Sequence, residues 1–328
     1  MESRPLYADG PDVSVVGLGA WAIGGSWGEV TEEDGLATIG AAVEAGVTFI
    51  DTADVYGDGR SERLIARYRA ANPGQALTVA TKAGRRLDPH VAGAYTVGNL
   101  QAFMERSREN LGVDTLDLVQ LHCPPTDVYY HPELFVGLDG LVDVGLLARY
   151  GVSVEKVEEA MKAIEFPGVA TIQIIFNAFR QRPAERFFAA AAERGVGVIV
   201  RVPLASGLLS GKMSAASTFA ADDHRNFNRK GEAFDVGETF AGVPFDVGLA
   251  AVEELRPLVP EGASLAQFAL RWIIDHTCVT TVIPGARRPD QAISNAGAAA
   301  LAPLSGEANA AVDDVYRRLI KPHVHQRW

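Results

Sequence analysis

Eight short runs of β-branched and aliphatic residues recur along this chain, and between them the apolar residues fall at helical spacing. The runs are residues 13–17, 47–51, 77–82, 116–122, 148–153, 171–176, 196–201 and 280–284. Each is bounded by turn formers or cap residues, and each is short and continuously apolar, which predicts strands buried on both faces. Thr31 ahead of Leu36, Ile39 and Val43, with Gly46 behind them, predicts a capped helix and its stop. Thr96 ahead of Leu100, Phe103 and Leu111, Ser153 ahead of Val157, Met161 and Ile164, and Ser264 ahead of Leu265, Phe268 and Trp272 predict three more. A strand followed by a helix, repeated at about 30 residues per unit, predicts the α/β class and a (β/α)8 TIM barrel forming a single domain over residues 1–328.

Three segments exceed what a barrel needs. Residues 1–12 predict a small N-terminal hairpin ahead of the first strand, residues 206–245 a long loop after strand 7, and the residues after Leu304 a tail. The long loop carries Asp222, Asp223, His224, Arg225, Asn226, Phe227, Asn228 and Arg229. An excursion of that length and polarity on a barrel is ordinarily functional.

Charge and composition narrow the function. With 30 basic and 41 acidic residues the net charge is −11, and the positive charges are scattered, which excludes a phosphate-tracking surface for nucleic acid and disfavours anionic membranes. No apolar stretch approaches the ~20 residues of a membrane span. The opening Met-Glu-Ser-Arg-Pro lacks a signal pattern, so a cytoplasmic location is expected. Cys123 and Cys278 make neither a disulfide framework nor a zinc pair and are expected to be reduced thiols.

Barrel active sites are built at the carboxyl ends of the strands. The second strand ends in Asp51, the third in Lys82 and the fourth in His122, while Tyr56 lies in the loop Asp51-Thr-Ala-Asp-Val-Tyr56-Gly57. Singly, a strand-end Asp or Lys is more often half of an ion pair and a loop Tyr a packing residue. Four such groups in order on one rim point to chemistry.

Nearly the whole chain resembles the aldo-keto reductase superfamily. The resemblance is carried by Val13-Ser-Val-Val-Gly-Leu-Gly-Ala-Trp21, Gly46-Val-Thr-Phe-Ile-Asp-Thr-Ala-Asp-Val-Tyr-Gly57, Leu111-Gly-Val-Asp-Thr-Leu-Asp-Leu-Val-Gln-Leu-His122, Gly151-Val-Ser153, Pro203-Leu-Ala-Ser-Gly-Leu-Leu-Ser-Gly-Lys212, and Val282-Ile-Pro-Gly-Ala286 with Gln291 and Asn295. It extends to potassium-channel β-subunits, which keep the barrel and the cofactor while serving as regulatory partners. The resemblance implies NADP(H)-dependent hydride transfer between a carbonyl and an alcohol, with Asp51, Tyr56, Lys82 and His122 as the catalytic tetrad. It also implies that Trp21, Ser153, Gln173, Pro203, Leu204, Ser206, Lys212, Gly285, Gln291 and Asn295 line the cofactor. Two positions depart from the family: Arg201 stands where an aromatic residue stacks on nicotinamide, and Val154 stands where many members carry asparagine.

Physical chemistry supports the same roles. Hydride delivery to a carbonyl builds negative charge on oxygen, which needs a proton donor and a polar environment. Tyr56 is the donor. Its phenol, with an ordinary pKa of ~10, gains roughly 4 kcal/mol toward ionisation from an ammonium about 4 Å away at an effective dielectric of ~20, before desolvation opposes it. Lys82 supplies that cation, Asp51 keeps it charged, and His122 orients the carbonyl. Lys212 and the helix opening at residues 285–288 suit a pyrophosphate, and Arg287 or Arg288 suits the 2′-phosphate, so NADP is favoured over NAD.

Several rivals are weaker. Gly17-Leu-Gly19-Ala-Trp-Ala22 fits a loose dinucleotide fingerprint, but Gly24, Gly25, Ser26 and Gly28 prolong the loop until Thr31. Asp54, Asp58 and Gly59 resemble a calcium loop only faintly, because Ile65 stands where glutamate is needed, so no metal is expected. His323 and His325 read as packing or solvent contacts. A Schiff-base role for Lys82 in a barrel lyase conflicts with Asp51, which raises its pKa. The expected partner is a small carbonyl or alcohol, an aldehyde, ketone or sugar, met by Trp21, Trp27, Tyr129 and Phe227 in an aromatic-lined pocket.

Overall fold

The computed structural model describes residues 1–24, 30–221 and 223–328. Strands β1 (Ser3–Pro5) and β2 (Asp12–Ser14) pair antiparallel as a hairpin. Among the described residues, eight further strands follow: β3 (Leu18–Gly19), β4 (Phe49–Asp51), β5 (Thr78–Ala83), β6 (Leu118–His122), β7 (Tyr150–Ser153), β8 (Val169–Ile175), β9 (Gly197–Arg201) and β10 (Thr281–Val282). They pair in parallel in chain order. The sheet closes on itself through parallel bridges Val16–Val282 and Gly19–Gly285, with Gly17 N–H donating to Val282 O at 2.8 Å and Gly19 N–H to Pro284 O at 3.0 Å. A Cβ on Gly19 would stand 2.8 Å from the carbonyl oxygen of Ile283. This glycine therefore permits the close approach that seals the barrel, and no helix starts at the Gly17-x-Gly19 pattern.

The helices are α1 (Glu32–Glu44), α2 (Arg60–Ala71), α3 (Val97–Leu111), α4 (Pro132–Asp143), α5 (Val157–Ala163), α6 (Phe187–Glu193), α7 (His224–Phe227), α8 (Phe245–Leu255), α9 (Leu265–Ile274), α10 (Pro289–Gly297), α11 (Gly306–Val315) and α12 (Lys321–Val324). The predicted caps hold at three of them: the hydroxyls of Thr31, Thr96 and Ser264 accept from the backbone N–H of Asp34, Asn99 and Gln267. Ser153 does not cap. It ends β7, its hydroxyl donates to Gln173 Oε1, and α5 starts after Lys156, where the Glu159 carboxylate accepts from the N–H groups of Glu155 and Lys156. A serine four residues ahead of a helix reads like a cap in sequence, but its hydroxyl is drawn into the barrel.

The first predicted strand also needs correction. The hairpin does not end at residue 12 but takes Asp12–Ser14, and the barrel strand proper is Leu18–Gly19. Residues 13–17 look like one strand because both halves are buried. Leu6 and Val13 enter a small cluster with Phe49, Ala80, Leu118, Ile199 and Ile283 that plugs the barrel from the hairpin side. Arg4 pins this hairpin, donating to Val279 O at 2.5 Å and Ile274 O at 2.9 Å. Helices surround the sheet, and the main core lies between the two layers.

The long segment after β9 folds as short helical turns and α7 rather than as open loop. It begins under strain, with Val202, Ala205, Ser206 and Gly207 all at positive φ. The tail returns to it. Trp328 is buried, its ring 4.1 Å from the Arg180 guanidinium and its indole N–H donating to Asp235 at 2.8 Å. Among the described residues, no helix is long and apolar enough to cross a membrane.

Candidate active site

Strand register brings the expected groups together. His122, Ser153 and Gln173 stand in one row across β6, β7 and β8, and Lys82 is level with Gln120 on the next strand. Asp51 ends β4, and the loop after it turns back tightly, with Tyr56 N–H donating to Ala53 O at 3.0 Å and Asp54 N–H to Lys82 O at 3.3 Å. Gly57 closes that turn at φ +59, where a Cβ would lie 1.9 Å from the Gly24 carbonyl oxygen. Only glycine fits, and its presence fixes where the Tyr56 ring can go.

Lys82 Nζ is the hub. It donates to Asp51 Oδ1 at 2.5 Å, to Thr52 O at 2.9 Å and to Tyr56 Oη at 3.3 Å. Lys82 is 1% exposed and Asp51 3%, so the pair is removed from water. Burial alone would lower the lysine, but the Asp51 carboxylate and Tyr56 outweigh it and hold the ammonium above its ordinary range. Burial pushes the Asp51 carboxyl up against the pull of Lys82, Gln173 and Arg201. Gln173 Nε2 donates to Asp51 Oδ2 at 2.7 Å, and Gln120 Nε2 lies at 3.4 Å. A lysine kept cationic in this way is unsuited to form a Schiff base.

Tyr56 is half-buried, and burial raises its phenol in spite of Lys82, so it stays protonated at neutral pH. Its ring stacks on Trp21 at 5.9 Å and meets His122 edge-on at 6.0 Å. Burial, then the cations of Arg85, Lys82 and Arg201, push His122 well below its ordinary value, so the imidazole is neutral, with Nδ1 buried and unpartnered. The rim thus offers one phenolic proton donor and one neutral imidazole beside a fixed ammonium.

Arg201 ends β9 among carboxylates. Its Nη2 donates to Val154 O at 2.9 Å and Glu155 Oε2 at 2.9 Å, and Nη1 lies 3.7 Å from Glu238 Oε1. Arg85 Nη2 joins the same two acids, at 2.8 Å from Glu238 and 3.3 Å from Glu155. This four-membered charge cluster was not legible as a unit. Arg85 stands three residues after Lys82 and Glu155 two after Ser153, which are usable signals, but nothing near Glu238 marks it.

The remaining expected residues distribute as follows. Ser206 ties the excursion together, accepting from Phe240 N–H and donating to Glu238 O. Pro203 is buried beside the strained turn, Leu204 is partly buried, and Lys212 is exposed. Gln291 accepts from the backbone N–H of Arg287, and Asn295 donates to Gly285 O, so both brace the turn before α10. Arg288 pairs with Asp290 at 3.0 Å. Phe227 is exposed and edge-on to Phe234, whereas Tyr129 lies fully buried in the core, where a substrate does not reach it without rearrangement. Trp27 lies outside the described residues. His325 proves to be a packing residue, bonded to Tyr316 and Glu185.

A (β/α)8 barrel carrying Asp, Tyr, Lys and His on one rim defines a class of oxidoreductase, and comparison with known proteins agrees. The chain belongs to the aldo/keto reductase family, whose model matches residues 15–317. It is 32% identical over 300 residues to the aldo-keto reductase YhdN of Bacillus subtilis, covering 89% of this chain and 86% of that one. It is 28% identical over 327 residues to a probable voltage-gated potassium channel subunit beta of Oryza sativa, covering 93% of each. Among solved structures, the glycerol dehydrogenase AKR11B4 from Gluconobacter oxydans superposes with a TM-score of 0.76 at 32% identity, over 94% of this chain and 93% of that one.

Proposed function

We propose that the protein is an NADP(H)-dependent oxidoreductase acting on a carbonyl/alcohol pair, with Tyr56 as the general acid in the reducing direction. The observation that carries this reading is the single ammonium of Lys82 reaching both Asp51 and Tyr56 Oη. In reduction, the Tyr56 hydroxyl gives its proton to the carbonyl oxygen, and the O–H bond of the alcohol forms as the phenolic O–H breaks. Lys82 stabilises the resulting phenolate, Asp51 holds Lys82 in place, and neutral His122 hydrogen-bonds the carbonyl oxygen.

The residues present fit a nicotinamide dinucleotide. Arg201 makes its hydrogen bonds in the guanidinium plane, which leaves a flat cationic face suited to an aromatic ring. Its Nε is buried and unpartnered. Ser153 and Gln173 stand level with Ile199, two residues before Arg201 on β9, where they would hold the carboxamide by exchanging their mutual bond. The main chain of residues 285–288 at the start of α10, a helix of nine residues, would meet the phosphates, with Arg287 or Arg288 on a 2′-phosphate. When bound, the cofactor supplies the hydride that adds to the carbonyl carbon.

Parallel calorimetric titrations with NADPH and NADH test the reading without a substrate. The expected result is binding with NADPH favoured by more than about tenfold, about 1.4 kcal/mol; binding of neither defeats the reading. In the double variant Arg287→Ala/Arg288→Ala, NADPH affinity is expected to fall by about tenfold or more while NADH affinity changes little, since charge-assisted bonds to phosphate are the ones lost. Equal losses for the two cofactors would remove this pair from 2′-phosphate recognition.

A further inference from the structure

Arg85 and its partner Arg201 both hydrogen-bond through Nη2, and they differ in exposure. The strand that carries Lys82 ends at Ala83, and Arg85 emerges two residues later on the same rim. Its guanidinium carbon lies 5.8 Å from the centre of the Phe234 ring; Phe234 stands edge-on to Trp21 at 6.3 Å, and Trp21 stacks on Tyr56. Arg85 is therefore linked to the Tyr56 ring through Phe234 and Trp21. Both acids that hold it, Glu238 and Glu155, bond to Nη2 alone. Nε and Nη1 make no hydrogen bond among the described residues. The side chain is 22% exposed where Arg201 is 9%, so Arg85 is the member of the cluster whose donors reach open space.

We propose that Arg85 determines substrate class, and that the substrate is a short oxo acid whose carboxylate binds Arg85 Nη1 while its carbonyl lies at Tyr56 and His122. The proposal rests on the oxidoreductase reading above and names the substrate for that same site. A carboxylate is the group that a buried-backed guanidinium with free donors recognises best. Charge accounting agrees. Arg85 and Arg201 outweigh burial and hold Glu238 down at about 2, whereas burial, with Glu238 and Asp235 adding to it against Arg201 and Arg85, lifts Glu155 to about 7. Burial also lifts the Cys123 thiol among these groups to about 12, so it stays neutral. At about 7, Glu155 is only partly ionised at neutral pH, so the two guanidiniums are incompletely neutralised and a substrate carboxylate supplies negative charge beside them. After burial, Arg85 is the first of the cations that lower His122, so its charge is felt at the imidazole.

The test is a ladder of ω-oxo acids from glyoxylate to 6-oxohexanoate, each assayed with NADPH against its own methyl ester. The expected result is a kcat/KM ratio of acid to ester of at least about tenfold at the length that spans the two sites, the value of one charge-assisted hydrogen bond. Arg85→Gln should bring that ratio to about one, and Arg85→Lys, which keeps the cation and protects the folded cluster, should retain part of it. A wild-type ratio at or below one along the whole ladder overturns the proposal without any variant, as does an Arg85→Gln enzyme with the wild-type ratio. Turnover of esters without preference for acids defeats the substrate class alone, whereas turnover of neither series defeats the oxidoreductase reading and this proposal with it.

Discussion

Tyr56→Phe is expected to lower kcat for carbonyl reduction by about 100-fold or more, the low end of what a general acid contributes, while the NADPH dissociation constant stays within about twofold of wild type. The substitution is clean because the ring stays. Phenylalanine keeps the stack on Trp21 and the edge contact with His122, and Gly57 still fixes the turn. What disappears is the hydroxyl 3.3 Å from Lys82 Nζ. Burial keeps that hydroxyl protonated, which is the state a donor needs, and the ammonium beside it stabilises the phenolate left behind. Residual turnover should come from proximity and from His122, which is neutral and able to polarise a carbonyl but is poorly placed to be re-protonated while cations surround it. Steady-state assays on the purified variant with calorimetry of the cofactor check both halves. An unchanged kcat would mean that another group delivers the proton, and the assignment of Tyr56 would fall.

The tetrad was readable in sequence because each member sits at a strand end or a fixed number of residues beyond one, and a parallel barrel turns that one-dimensional address into a shared rim. Ser153 and Gln173 were named for the site only through the family resemblance, and the strand register sets them in one row. The same logic failed where burial comes from two directions at once. Residues 13–17 are apolar throughout because Val13 plugs the barrel floor and Val16 joins the closing bridge, and alternation cannot separate those duties. It failed again at Ser153, since a hydroxyl ahead of a helix can serve the helix or the barrel interior and the residues alone do not say which. Glu238 was invisible for a different reason. Its partners Arg85 and Arg201 lie 153 and 37 positions away, one in the turn after β5 and one at the end of β9, and its own segment carries no period at all. Arg201, by contrast, was singled out as a departure, and the structure supplies its context: Glu155 and Glu238 accompany it, so the replacement of an aromatic residue by a cation comes with its own counter-charges.

Lys82→Met should be the most damaging single change, because it strikes stability and turnover together. The methionine fills the space of the lysine stem but leaves the Asp51 carboxylate 3% exposed, with only Gln173 and the longer contact from Gln120 to satisfy it. Breaking one side of a buried pair costs about 3–5 kcal/mol, which denaturant unfolding will read. Turnover should fall by about 100-fold or more, as the phenolate of Tyr56 loses its stabilising cation. The double variant Asp51→Asn/Lys82→Met separates the two effects. Removing both charges takes away the uncompensated carboxylate, so stability should recover by at least about half of the single-variant loss, a coupling above about 1 kcal/mol in the double-mutant cycle, while turnover stays at the single-variant level. That outcome would establish that the chain tolerates an ion pair in its dry interior for the sake of the proton transfer at Tyr56 and not for the fold. A double variant no more stable than Lys82→Met would show instead that the lysine contributes by packing and by its bond to Thr52 O, and the electrostatic account of the hub would fail.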